Sequence, residues 1–173
     1  ATAVDAYQRA KARAGQLDFQ DLLIKARDLL RHAEARADLQ RRYDRIFVDE
    51  FQDTDALQAE ILLLLSAADP SVSDWRTAEP APGKLFVVGD PKQSIYRFRR
   101  ADARQYRRVR DHLTEQSGTP DYLTRNYRST DALEQFVNAA FESMPEYLPL
   151  AGGVPASEAQ PSVIALPMPY IHS

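Results

Sequence analysis

The sequence contains no cysteine, which excludes a disulfide framework and any thiolate-ligated zinc site. Long apolar runs are missing too. The longest, Ile61 to Leu65, falls far short of the ~20 residues needed to cross a bilayer. No charged segment followed by an apolar stretch opens the chain, so no secretory signal is visible. A cytoplasmic setting without membrane contact is expected. The sequence also lacks an excess of charge of one sign. Its formal net charge of −3 does not suit a uniformly basic nucleic-acid binder, although a net value averages away local patches. Starting at Ala1 and ending within a strand-like run, the chain is expected to be an internal piece of a longer protein.

What is there is ordinary globular material. At 173 residues, 44% hydrophobic and 27% charged, the chain has enough apolar side chains for one domain, or for one and a half small ones. Residues 1–43 read as helical. After Phe19 the apolar positions Leu22, Leu23, Ala26, Leu29 and Leu30 repeat as one helix face, with Asp18 as N-cap and Asp21 in the first turn. The period then changes. Arg45-Ile46-Phe47-Val48 is the short β-branched and aromatic run of a buried parallel strand. The next helix is expected to be capped near Thr54 or Asp55, to bury Leu57, Ile61, Leu62, Leu64 and Leu65, and to end at Asp69-Pro70. A loop over 70–83, a second strand at Leu85 to Val88 and a helix reaching about Leu113 follow. Tyr122-Leu123-Thr124 is a third strand candidate. A helix capped by Ser129, Thr130 or Asp131 turns Leu133, Phe136, Val137, Ala140 and Phe141 inward. Beyond Pro145 the chain is proline-rich, with one more strand candidate at Val163 to Leu166. Alternating strands and helices imply an α/β fold with a parallel sheet covered on both faces.

Ligands of open α/β sheets bind at the carboxyl ends of the strands. Three such ends carry polar clusters here: Asp49 to Thr54, Gly89 to Ser94, and Arg125 to Ser129. An acidic pair directly after a buried strand, Asp49-Glu50, suits a nucleotide hydrolase in which the Asp holds Mg²⁺ and the Glu polarises water. The plainer alternative is that both carboxylates cap the next helix. From Lys92 to Arg110 the sequence is strongly basic, with Tyr96 and Phe98 set among Arg97, Arg99 and Arg100. Aromatics among arginines suit a single-strand path, with cations on phosphate and rings on bases. Alternatively, Phe98, Tyr106, Val109 and Leu113 share a helix face and pack in a core, while the arginines beyond Arg100 form a solvated face.

Val48-Asp49-Glu50-Phe51-Gln52-Asp53-Thr54 resembles motif II of the superfamily 1 helicases of the UvrD, Rep and RecB/AddA group. The run from Val88 to Arg99 resembles their motif III, and Leu123 to Ser129 their motif IV. Leu17-Asp18-Phe19 with Leu22-Leu23 is similar to the segment returning from their inserted 1B subdomain. Order and spacing agree over about residues 17–141, and the Pro91-Lys92 pair and Phe98 look closer to RecB/AddA than to UvrD.

The resemblance implies a partial RecA-like sheet of the P-loop nucleotide-hydrolase kind, with a helical N-terminal segment. Residues 1–43 would be the end of the 1B insertion, 44–144 the C-terminal half of motor domain 1A, and 145–173 a linker with an extra strand. The implied activity is ATP hydrolysis coupled to movement on single-stranded DNA, in recombination or repair. The implied cofactors are ATP and Mg²⁺, and the implied partners are single-stranded or duplex DNA and other subunits of a recombination nuclease complex. Position by position, Asp49 would hold Mg²⁺, Glu50 would be the catalytic base, and Gln93 would sense the γ-phosphate. Arg128 would meet that phosphate as charge develops, and Tyr127 would lie against adenine. Tyr96, Arg97, Phe98 and Arg99 would contact DNA.

The sequence departs from the family in two respects. It has no Gly-x4-Gly-Lys-Ser/Thr phosphate loop, since Gly83-Lys84 is the only Gly-Lys pair and precedes a strand. Arg100 stands where many relatives have glycine. The chain alone is therefore expected to be inactive. A competing reading keeps the fold as a non-catalytic DNA- or protein-binding module. A nuclease using Asp49, Glu50, Asp53 and Asp55 would need carboxylates converging from several elements, whereas these are nearly consecutive.

Overall fold

The computed structural model describes residues 2–94, 103–117, 120–145, 147–155 and 163–164. They divide into two compact units, Ala1–Thr119 and Pro120–Ser173, each treated by itself below.

The first unit begins with three helices: α1 (Ala3–Ala14), α2 (Phe19–Leu30) and α3 (Ala33–Arg42). Capping sets the starts of the first two. Thr2 with Asp5, and Asp18 with Asp21, form reciprocal capping boxes, which satisfy donors that a helix leaves open. Gly15 ends α1 in the left-handed region, at φ 63°, where a side chain is disfavoured. The Lys11 ammonium then ties α1 to the start of α2, lying 2.6 Å from both Asp18 and Asp21. The buried side of α2 is Leu23, Ala26, Arg27 and Leu30, whereas Leu22, Leu29 and Phe19 are exposed. The expected stripe is thus rotated by about one position.

The strands β1 (Ile46–Val48) and β2 (Leu85–Val87) form a two-stranded parallel sheet pairing Ile46 with Leu85, Phe47 with Phe86 and Val48 with Val87. Between them lies α4 (Ala56–Ser66), capped by Asp55. Ala59, Leu63 and Leu64 on α4 are at most 1% exposed, and with Leu30, Phe51, Trp75 and Val109 they form the core, against which Val48, Leu85 and Val87 pack. A helix apolar on nearly every side must be enclosed, and α4 packs on both α2 and α3. It ends at Ser66, earlier than Asp69-Pro70, because the chain turns into an antiparallel bridge between Ala67 and Pro80. The Gln40 amide of α3 donates to the Leu64 and Ala67 carbonyls at 3.0 and 2.9 Å, closing the end of α4. The last helix of the unit is α5 (Ala103–Ser117), with Val109 buried and Tyr106 and Leu113 against the core.

One expectation about the sheet is corrected. Phe47 and Phe86 are 72% and 60% exposed, with ring centroids 5.9 Å apart. Alternate strand residues point to opposite faces, so one face packs on the core and the other is open.

In the second unit, α6 (Asp131–Phe141) starts at Thr130, whose hydroxyl accepts the Leu133 N–H. No strand forms at Tyr122 to Thr124. Instead, single parallel bridges join Arg125 to Ala151 and Thr130 to Val154, and Asn138 binds both backbone groups of Leu150. Phe136, Ala140 and Phe141, expected inward, are exposed, and Glu134 is buried instead. Of the last strand candidate only Val163 and Ile164 are described, and they are not in a strand.

Candidate functional site

The ends of β1 and β2 lie side by side because the strands are parallel and in register. The Val88 N–H donates to the Val48 carbonyl at 2.8 Å, and the Phe51 N–H to the Val88 carbonyl at 3.0 Å. The first two polar clusters are thereby brought together at one edge, where ligands of such sheets bind.

Glu50 takes a conformation that few side chains adopt. Its φ of 52° and ψ of 40° make it the one non-glycine residue with positive φ among those described. Such a conformation costs of order 1–3 kcal/mol and persists only where its surroundings impose it. The surroundings here are hydrogen bonds. The Glu50 N–H donates to Asp49 Oδ1 at 2.9 Å. Gln52, only 2% exposed, donates from Nε2 to Glu50 Oε2 at 2.6 Å, and its Oε1 accepts the Asp90 N–H at 2.9 Å.

Gly89 makes this possible. A Cβ there would lie 2.9 Å from Gln52 Oε1 and 3.1 Å from the Phe51 nitrogen, so a side chain would push the loops apart. The Tyr106 hydroxyl of α5 donates to the Gly89 carbonyl at 3.1 Å, and its ring lies 5.9 Å from that of Phe51. Asp90 caps the turn Pro91–Gln93 by accepting the Lys92 N–H, and its other oxygen accepts from Gln93 Nε2 at 3.2 Å. Glu50, Gln52, Asp90 and Gln93 thus form one continuous run of hydrogen bonds.

Of the site residues expected from the sequence, Asp49, Glu50 and Gln93 share this edge. Tyr127 and Arg128 belong to the second unit. There the Asn126 side chain accepts the Arg128 and Ser129 N–H groups at 2.9 and 3.1 Å, which fixes a tight turn. That turn leaves Tyr127 74% exposed beneath the Arg125 guanidinium, 5.2 Å from the ring centroid, with Arg128 also exposed. Tyr96, Arg97, Phe98 and Arg99 lie outside the described residues.

Gln52 is the participant that the sequence reading missed. It stands inside the first polar cluster, but nothing in a single sequence says that its amide reaches the second. Asp53 adds a further polar group, since its Oδ1 is buried without a hydrogen-bond partner among the described residues.

The donor set fits a magnesium ion that arrives with a nucleotide. Mg²⁺ keeps most of its water and is commonly held by one or two carboxylates plus substrate phosphates. Asp49 supplies one such carboxylate, exposed at the strand end. Among the described residues no three acidic, His or Cys side chains gather as a dedicated metal cage.

A family model, the UvrD/REP helicase N-terminal domain, matches residues 1–114. Relatives described as subunits of an ATP-dependent helicase/nuclease come from several organisms. That of Levilactobacillus brevis is 36% identical over 147 residues, covering 80% of this chain and 11% of the relative. That of Natranaerobius thermophilus is 35% identical over 140 residues, 79% of this chain and 10% of the relative. That of Exiguobacterium sibiricum is 38% identical over 129 residues, 72% and 10%. The chain therefore spans about a tenth of the length of these curated relatives.

Proposed function

This chain belongs to the UvrD/REP helicase family, and on that premise we propose that it supplies half of the ATP site of a DNA helicase. The full protein would couple ATP hydrolysis to movement along single-stranded DNA, in recombination or repair, as one component of a helicase/nuclease complex. The names of the relatives support this reading. The observation that carries it is the hydrogen-bonded run from Glu50 through Gln52 and Asp90 to Gln93. That run holds a carboxylate and a neutral amide at one strand edge.

In this reading Glu50 takes the proton of a water as its oxygen forms a bond to the γ-phosphorus. The bond from that phosphorus to the bridging oxygen breaks, and ADP leaves. A base held in a fixed position spares the reorganisation that water would require. Magnesium, when bound, neutralises phosphate charge, and Asp49 is the residue that would hold it. Gln93 suits a γ-phosphate contact because its amide donates to phosphate and accepts from water. Arg128 brings a permanently charged planar donor, and Tyr127 offers an exposed ring for adenine. Tyr96, Arg97, Phe98 and Arg99 form the DNA contact. The phosphate loop is supplied by another part of the protein, whose strands extend β1 and β2 into a RecA-like sheet and whose helices cover Phe47 and Phe86.

The test is DNA-stimulated ATP hydrolysis by the full-length protein. Glu50→Gln should abolish turnover while ATP binding persists. Turnover that survives this substitution overturns the assignment of Glu50 as the base, and a full-length parent that hydrolyses no ATP favours a non-catalytic binding module.

A further inference from the structure

The first unit holds a second polar feature, away from the strand ends. A cleft of about 450 Å³, lined by Trp75, Arg76, Arg108 and His112, opens between the turn Trp75–Thr77 and α5. That volume falls in the range of ligand-sized clefts, about 300–1,000 Å³. We propose that this cleft binds the backbone of single-stranded DNA, taking a phosphate between Arg76 and Arg108. The proposal rests on the reading that the protein acts on DNA, and it names a contact distinct from residues 96–99.

The cleft is rigid where it needs to be. Trp75 is 9% exposed and anchors the turn in the core. The Arg76 guanidinium sits over its ring, 4.9 Å from the centroid. His112 donates from Nε2 to the Ala78 carbonyl at 2.8 Å, which fastens the loop to α5. Arg108 is exposed and has no hydrogen bond or ion pair among the described residues. The acidic neighbours are already engaged, Asp111 with Arg110 and Asp74 with Arg76. The Asp74–Arg76 pair is exposed at 3.2 Å, and such pairs are weak enough for a phosphate to displace.

Two observations favour a nucleic-acid strand over an acidic peptide. Arg104, Arg108 and His112 recur every fourth residue, so they lie along one line of α5 about 6 Å apart per step. Arg104 and Arg108 are the cationic donors of that line, His112 being held by the Ala78 carbonyl, and cations at such a spacing suit a polyanion whose charges also repeat. In addition, a guanidinium already stacked on an indole presents its outer face to an unpaired base, a recurrent mode of single-strand recognition. The line also continues the basic stretch that begins at Lys92.

The test measures affinity of the full-length protein for a fluorescent single strand at several salt concentrations. Each phosphate contact contributes about 0.7 to the slope of log affinity against log salt for single strands. The double variant Arg76→Ala/Arg108→Ala, checked for an unchanged Tm, should lower that slope by about 0.7 to 1.4. Arg108→Lys, which keeps the charge, should restore most of the loss at that position. An unchanged slope in the double variant, with binding still weakened by Tyr96→Ala, overturns the cleft and leaves the DNA-motor reading standing. Loss of a partner protein from the double variant, with DNA binding unaltered, would assign the cleft to that protein instead and also overturns it. A parent protein that binds no single strand overturns this proposal together with the proposed function.

Discussion

The Gln52 amide holds the Glu50 carboxylate at 2.6 Å while its other end accepts the Asp90 N–H at 2.9 Å. One buried side chain therefore positions the carboxylate after the first strand relative to the turn after the second. Removing it has two separable effects. Glu50 loses the donor that orients it, and the Asp90 N–H loses its partner.

Gln52→Leu keeps the bulk and removes both bonds. In the full-length protein kcat for ATP hydrolysis should fall about ten- to a hundredfold, the cost of misplacing a reacting group by about an ångström. KM for ATP should change much less. Urea denaturation should show a loss of about 1 kcal/mol, the net worth of a hydrogen bond, because the exposed Glu50 carboxylate and the half-buried Asp90 N–H can turn to water. An unchanged kcat would mean that Glu50 needs no such support.

Glu50→Gly separates strain from chemistry. Glycine enters the left-handed region freely, whereas a side chain there costs of order 1–2 kcal/mol. Part of that gain is offset by the greater freedom of glycine in the unfolded chain. Glycine also leaves the buried Gln52 Nε2 without its acceptor, so stability should stay within about 1 kcal/mol of the parent in either direction, and the variant should hydrolyse no ATP. A marked destabilisation would show that the Gln52–Glu50 bond contributes more than the backbone strain costs.

Much of this arrangement could be anticipated. The two strands, the caps at Asp18 and Asp55 and the polar strand ends follow from local patterns that need no knowledge of distant residues. The uncovered face of Phe47 and Phe86 did not, because an apolar strand reads the same whether one or both of its faces are buried. The register of α2 slipped for a related reason. Leu22, Leu23, Leu29 and Leu30 are equally apolar, and only packing on α4 selects Leu23 and Leu30. Gln52 escaped because its partner, Asp90, is 38 residues away.

Gly89→Ala tests the close approach directly. The added methyl would meet Gln52 Oε1 at 2.9 Å and the backbone nitrogens of Phe51 and Gln52 at 3.1 and 3.2 Å. Backbone cannot swing aside as a side-chain end can, so the strand ends must separate. Thermal denaturation should show a loss of about 1–3 kcal/mol, with a fall in ATPase kcat because Gln52 moves with the loop.

Asp18 carries a pH dependence. The hydrogen bond from the Lys11 ammonium, and next the Asp21 N–H, lower its pKa from 3.8 to about 2, against the opposing effect of burial. A folded-state pKa below the unfolded one means that the ionised form stabilises the fold. That contribution is complete above 3.8 and drains away as pH falls towards 2. Asp18→Asn should lower the hydrogen-exchange protection of α1 at neutral pH, and its difference from the parent should shrink over that interval. A difference that persists unchanged at low pH would trace the effect to the cap rather than to the charge.

Phe47 tests whether the two-stranded sheet is part of a larger one. In the 173-residue chain its ring is 72% exposed and touches the ring of Phe86. Phe47→Ser should therefore cost about 1 kcal/mol or less, the worth of a tilted aromatic pair. If the remaining part of the motor covers this face in the full-length protein, the same substitution removes a buried ring and should cost about 3–5 kcal/mol. Urea denaturation of both proteins, parent and variant, measures the contrast. Equal small costs in the two would mean that the outer face stays open, and a RecA-like sheet covered on both faces would have to be abandoned.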